Sequence, residues 1–200
     1  MIFTELNLPG AFIIQTQPHK DDRGSFARTF CRDEFELRGL DPCVAQCSLS
    51  RNERAGTLRG LHYQANPFGE VKLVRCGRGA FYDVIVDLRG KSPTYGKWAA
   101  VTLSSENGVM LYVPAGFAHG FQTLEDDTEV CYQVSTPYLP ELARGIRWDD
   151  PTLRITWPTR DPILSDRDRE LPLMSELPGA QPATRRRKLV APSEPQLVNR

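Results

Sequence analysis

The sequence predicts an all-β domain, a sandwich or barrel with short flanking helices. Two observations carry that prediction. Between Lys72 and Pro158 the chain reads as short runs rich in Val, Ile, Tyr and Phe, and Gly, Pro, Asn and Asp separate the runs at regular spacing. β-branched and aromatic residues suit a half-buried pleated surface, and the separating residues are those that make tight turns. KLVRCGRGAFYDVIVDLR (Lys72 to Arg89) predicts two strands around Gly77 and Gly79. KWAAVTLS (Lys97 to Ser104), GVMLYVP (Gly108 to Pro114) and TEVCYQVST (Thr128 to Thr136) predict three more, and LRITWP (Leu153 to Pro158) a closing one. Only DEFELRGL (Asp33 to Leu40) reads as a helix, with apolar Phe35, Leu37 and Leu40 and Gly39 as its stop. Many short strands without alternating helices point away from a parallel α/β sheet.

The 200 residues fit one domain with a real core. That domain is expected over residues 1–177. Residues 178–200 lose apolar periodicity and predict a flexible tail, whose basic run Arg185 to Lys188 reads as solvated. Lys plus Arg equals Asp plus Glu at 25 each, so the formal net charge is zero. A general nucleic-acid surface needs a basic excess, so nucleic acid is not an expected partner. No run is long and apolar enough to predict a membrane span, and MIFTELNLPGAF lacks the basic start and apolar stretch of a secretory leader. The expected location is the cytoplasm. The five cysteines are odd in number and form no CxxC pair, which argues against a zinc or disulfide framework. Cys76 and Cys131 fall in apolar runs and are expected as buried reduced thiols.

Two spaced motifs narrow the barrel to a cupin-type double-stranded β-helix, a jelly roll. Gly108-VMLYV-Pro114-A-Gly116-FA-His119 has the spacing of the second cupin motif, in which a histidine follows a tight Pro/Gly turn. Gly56-TLRGL-His62-Y-Gln64, followed by Glu70 and Gly77, resembles the first. Metal-binding cupins place two histidines on alternate residues of the first motif, because residues i and i+2 of a strand face one side. Here the second position is Gln64, and a neutral carboxamide is a poor ligand beside imidazole. The expectation is therefore a site with no metal and no cofactor. His62, Glu70 and His119 are the ligand set of the alternative, a metal-dependent cupin enzyme; a non-catalytic sugar-nucleotide-binding cupin is the other alternative.

Without a metal, side chains must do the chemistry. His62 stands in a polar and aromatic cluster, RGLHYQ. Tyr132 sits mid-strand, with Cys131 and Gln133 facing the other way. Pro67 and Gly69 break the strand before Lys72, so the motif and not periodicity places that lysine. Arg23, Arg59 and Arg167 lie near glycines or turns, and arginine pairs with phosphate through two parallel hydrogen bonds. Such a set suits an anionic substrate with an acidic C–H, whose deprotonation needs a base and a partner for the enolate.

Together these residues resemble the dTDP-4-dehydrorhamnose 3,5-epimerase family from about Phe3 to Leu173. The segments that carry the likeness are DDRGSFARTF, LSRNERAGTLRGLHYQ, VKLVRCGRGAFYDVIVDLRGKSPTYGKW, LYVPAGFAHGF, YQVSTPYLPELARGIRWDDPTLRITWP and ILSDRD, in that order. The resemblance implies an epimerase acting at C3, C5 or both of a dTDP-4-keto-6-deoxy sugar. It pairs His62, as base, with Asp168; it sets Lys72 on the C4 oxygen and Tyr132 as the acid on the opposite face. It assigns Arg59, Arg23 and Arg167 to the diphosphate, Phe26 and Tyr138 to packing on sugar or thymine, and Gln46, Ser48 and His119 to substrate contact. Many members carry glutamate where this chain has Arg28, which bears on the choice of sugar and on how many centres invert. The resemblance also implies a homodimer.

Overall fold

The computed structural model describes residues 1–177. The expected tail, residues 178–200, lies outside them. An antiparallel pair, β1 (Ile2–Glu5) and β2 (Phe12–Gln15), opens the chain. A separate ribbon follows, β3 (His19–Asp21) with β4 (Gly24–Phe26), and then one short helix, α1 (Arg32–Glu36). The body of the domain is β5 (Gln46–Asn52), β6 (Leu58–Gln64), β7 (Lys72–Arg78), β8 (Ala80–Asp87), β9 (Trp98–Ser104), β10 (Val109–Val113), β11 (Phe117–Thr123), β12 (Thr128–Val134) and β13 (Ala143–Gly145). A single turn of helix, α2 (Asp166–Arg169), comes near the end.

The strands form a six-stranded sheet in the order β1-β2-β10-β7-β12-β5 and a five-stranded sheet in the order β13-β6-β11-β8-β9. From β5 to β8 and again from β9 to β13 consecutive strands alternate between the sheets, as the expected jelly roll requires, while β8 and β9 pair as neighbours within the smaller sheet; every strand pairing is antiparallel. One core lies between them, built from Val74, Cys76, Leu111 and Val130 of the larger sheet and Phe81, Ile85, Leu103, Phe117 and Phe121 of the smaller. The period-two alternation of β8 explains this: Phe81 and Ile85 enter that core, while Tyr82, Val84 and Val86 face outward. The outward face is covered by the C-terminal segment through Leu153, Trp157 and Met174. On the outside of the larger sheet, Phe35 of α1 packs on Ile14, Leu73, Met110 and Tyr112. Burying one Phe contributes about 2–3 kcal/mol, which ties the helix down.

Two expectations need correction. The helix ends at Glu36 in a turn closed by Leu40 N–H to Phe35 C=O, with Gly39 at φ +67°. Leu37 is exposed, because at the end of so short a helix it faces solvent while Phe35 faces the sheet. LRITWP forms no strand. Arg154 takes a left-handed φ of 51°, and the segment buries Leu153 and Trp157 without a partner strand. Cys76 is buried as expected, Cys131 only half so, and both are reduced. Among the described residues no helix is long and apolar enough to cross a membrane.

Candidate active site

A cavity of about 650 Å³ is lined by residues of both sheets. β6 supplies Arg59, His62 and Gln64, β11 supplies His119, β7 supplies Lys72 and β12 supplies Tyr132. Arg59 and His62 are three apart, and a regular strand would put them on opposite faces. The pairing of β6 with β11 shifts register between His119 and Phe121. Gly60 lies there at φ +113°, and a Cβ on it would meet Gly120 Cα at 2.7 Å and the His119 carbonyl oxygen at 2.8 Å. Only glycine fits that approach. The irregularity turns both side chains into one cavity.

His62 Nε2 lies 2.7 Å from Asp168 Oδ1, and Asp168 Oδ2 accepts the Gly60 N–H at 3.2 Å. Ser165 caps α2 by accepting the Asp168 N–H, which fixes the aspartate at the wall. Burial opposes ionisation of Asp168, but the His62 bond and charge, the Gly60 N–H and Arg167 outweigh it and hold the carboxyl below the usual range. His62 then donates Nε2–H to the carboxylate and leaves Nδ1 as its free basic nitrogen.

His119, the β-ladder partner of His62, forms a second such pair: its Nε2 is 2.6 Å from Asp83 Oδ1. Both side chains are buried. Burial pushes the Asp83 carboxyl up, against the pull of His119 and Lys72. Tyr132 meets His119 edge to face, with ring centroids 6.0 Å apart. Burial and the nearby Asp83 charge push its phenol up, against Arg59, so the phenol stays protonated at neutral pH. Lys72 bonds Glu70 at 2.8 Å. Arg59 donates Nε–H to Asn52 Oδ1 at 2.8 Å. Arg51, Arg59, Lys72, Arg144 and Arg167 line the cavity against two lining carboxylates, Glu70 and Asp168, which favours an anionic ligand.

The model of the family described as dTDP-4-dehydrorhamnose 3,5-epimerase matches residues 5–176. The chain belongs to that family. The Sinorhizobium fredii dTDP-4-dehydrorhamnose 3,5-epimerase is 46% identical over 179 residues, 89% of this chain and 92% of that relative. The solved structure of the Bacillus anthracis epimerase, with TDP and PPi bound, is 43% identical with a TM-score of 0.84, covering 86% of this chain and 98% of that one. NovW of Streptomyces spheroides, a 4-keto-6-deoxy sugar epimerase from the novobiocin cluster, is 38% identical with a TM-score of 0.84, covering 88% of each chain.

In this epimerase-family chain the cavity gathers His62, Asp168, Lys72, Tyr132, Gln46, Ser48, Arg59, His119, Tyr138 and Arg167 from the residues singled out in sequence. Arg23, Phe26 and Arg28 do not line it. Arg23 is exposed on the β3–β4 ribbon and bonds Asp21, Phe26 is 76% exposed, and Arg28 reaches Glu34 at 3.3 Å. Glu70, named as a metal ligand in the alternative, is spent on Lys72, and each histidine on its own aspartate. Among the described residues no three His, Cys, Asp or Glu side chains form a metal-ligand cluster. Sequence reasoning passed over Asp83 and Asn52. Asp83 carried one readable sign, a lone charge in the apolar run AFYDVIV; Asn52 carried none.

Proposed function

We propose that the chain epimerises a dTDP-4-keto-6-deoxyhexose at C3, C5 or both, by proton transfer through an enolate. The observation that carries this reading is a carboxylate-oriented histidine and a partly buried, neutral tyrosine facing one cationic cavity. His62 Nδ1 takes the proton next to the C4 ketone, and the electron pair moves onto the C4 oxygen. Asp168 stabilises the imidazolium that forms. The Lys72 ammonium stabilises the enolate oxygen, and the Tyr132 hydroxyl returns a proton to the other face, which inverts the centre. Arg59, aimed by Asn52, takes the diphosphate, with Arg167 beside it; His119, Ser48 and Tyr138 contact sugar or nucleotide. The same reading takes the cytoplasm as the enzyme's location.

The same reading includes a homodimer. Edge strand β5 exposes Leu49, and the β3–β4 ribbon exposes Phe26 and Arg23; unpaired edges and apolar tips of this kind favour pairing with a second copy. A second copy would cover them and bring Arg23, Phe26 and Arg28 to a substrate. A monomeric mass at micromolar concentration would count against it.

The decisive experiment is NMR of a dTDP-4-keto-6-deoxyglucose in heavy water with the enzyme. Deuterium is expected at C3, C5 or both, and none with His62→Ala. Unchanged exchange in that variant removes His62 as the base; binding without exchange in the wild type removes the enzyme reading.

A further inference from the structure

Gln64 stands where metal-binding cupins carry their second histidine, yet its polar atoms are bonded to main chain. Its Nε2 donates to the Phe68 carbonyl at 2.7 Å and to the Pro137 carbonyl at 3.2 Å, and its Oε1 accepts the Leu139 N–H at 2.8 Å. From the other sheet, Gln46 Oε1 accepts the Tyr138 N–H at 2.5 Å. Two consecutive amides are thus held by glutamines of two different sheets. They belong to residues 135–142, which run from β12 in the larger sheet to β13 in the smaller. None of these eight residues is buried. Apolar packing therefore does not fix the crossing, and polar bonds must. Ser135 and Thr136 anchor its start, through Val71 and the Gly69 carbonyl. Beyond them, the glutamines hold the stretch that carries Tyr138, which is 54% exposed and lines the cavity.

We propose that Gln64 is a positioning residue: it straps residues 135–142 across the cavity so that Tyr138 presents its ring to the sugar nucleotide. It sets substrate affinity and leaves proton transfer to His62 and Tyr132. This rests on the reading of Tyr138 as a substrate-packing residue. When a binding-competent geometry is populated only in part, apparent affinity falls by that fraction. A strap that is held about a tenth of the time costs about tenfold in KM.

Gln64→Met keeps the side-chain length and removes all three bonds. In the ligand-free protein, amide exchange at Tyr138 and Leu139 should accelerate at least about tenfold, since local opening sets exchange. KM should rise about tenfold with kcat within about threefold of wild type. Tyr138→Ala should raise KM to a similar extent, and the double variant should bind no worse than Tyr138→Ala alone, because residues acting through one another are not additive. Should Gln64→Met not fold, Gln64→Asn carries the same amide one methylene short of its partners and gives the same readouts. Unchanged exchange at both amides overturns the strap. Additive KM effects overturn the action through Tyr138. A silent Tyr138→Ala with accelerated exchange in Gln64→Met overturns the substrate-packing reading, and with it the affinity role, while the clamp survives as structure.

Discussion

Two histidine–aspartate pairs meet in one cavity with almost the same bond, 2.7 Å for His62–Asp168 and 2.6 Å for His119–Asp83. Their surroundings differ. The His62 side chain is 38% exposed, and Asp168 uses both oxygens, one on His62 and one on the Gly60 N–H. The His119 side chain is 4% exposed, and Asp83 Oδ2 is buried without a hydrogen-bond partner among the described residues. The carboxyl that is fully bonded is held below its usual range; the one that is not is pushed above it. On the proposed reading, the same two residue types therefore make the base at the accessible pair and a framework at the buried one. What separates them is solvation and a single backbone N–H.

The sharpest way to break that comparison is to remove each imidazole. His62→Asn should lower kcat by about 10³–10⁴, the range for a lost general base. His119→Asn should lower it by about tenfold, as lost substrate contact and Tyr132 packing. Equal losses in single-turnover assays would erase the distinction between the two pairs.

Tyr132→Phe comes next. It should lower product formation by about 10², while solvent deuterium still enters the abstracted position with its configuration retained. Loss of that wash-in as well would move the tyrosine into the first proton transfer.

The aspartates should differ in sign. A carboxyl whose native value is depressed contributes stability above its unfolded value near 4 and loses it as pH falls through the native value. Asp168→Asn should therefore lower Tm at neutral pH, and its deficit should shrink as the pH falls below about 4. It should also cut kcat by about 10²–10³, by leaving His62 with the wrong tautomer. A raised native value works the other way: ionised Asp83 costs stability above its unfolded value. Asp83→Asn should raise Tm at neutral pH, with a gain that grows as pH rises from about 4, and lower kcat by about tenfold. Parallel pH profiles of Tm for the two asparagine variants would sink the electrostatic contrast.

The alternation of β7, β8 and β12 was readable because a strand's faces repeat every second residue. It set Tyr132 opposite Cys131 and Gln133, and in the structure the same alternation puts Tyr132 with Val130, and Phe81 with Ile85, toward the core. The pattern failed where partners decide the outcome. LRITWP has strand composition, yet no neighbouring strand offers it a ladder. Leu37 fits a helical stripe that ends before it can use the stripe. Gln46, which the resemblance assigns to substrate contact, does line the cavity, and its bond from the Tyr138 N–H to its side-chain oxygen had no sign in the sequence.

The sequence by itself determined the all-β jelly roll, the two cupin motifs, the replacement of a metal-ligand position by Gln64, and the residue types of an acid–base site. Those follow from local period and motif spacing, which survive in one dimension. Tertiary structure alone decided that Arg59 and His62 share a face, because a register shift at Gly60 overrides strand alternation. It alone joined His62 to Asp168, 106 residues away, as a contact of 2.7 Å rather than as likeness to a family. It alone set His119 on Asp83, since burial and a missing hydrogen-bond partner belong to the packed molecule and leave no mark on the order of its residues.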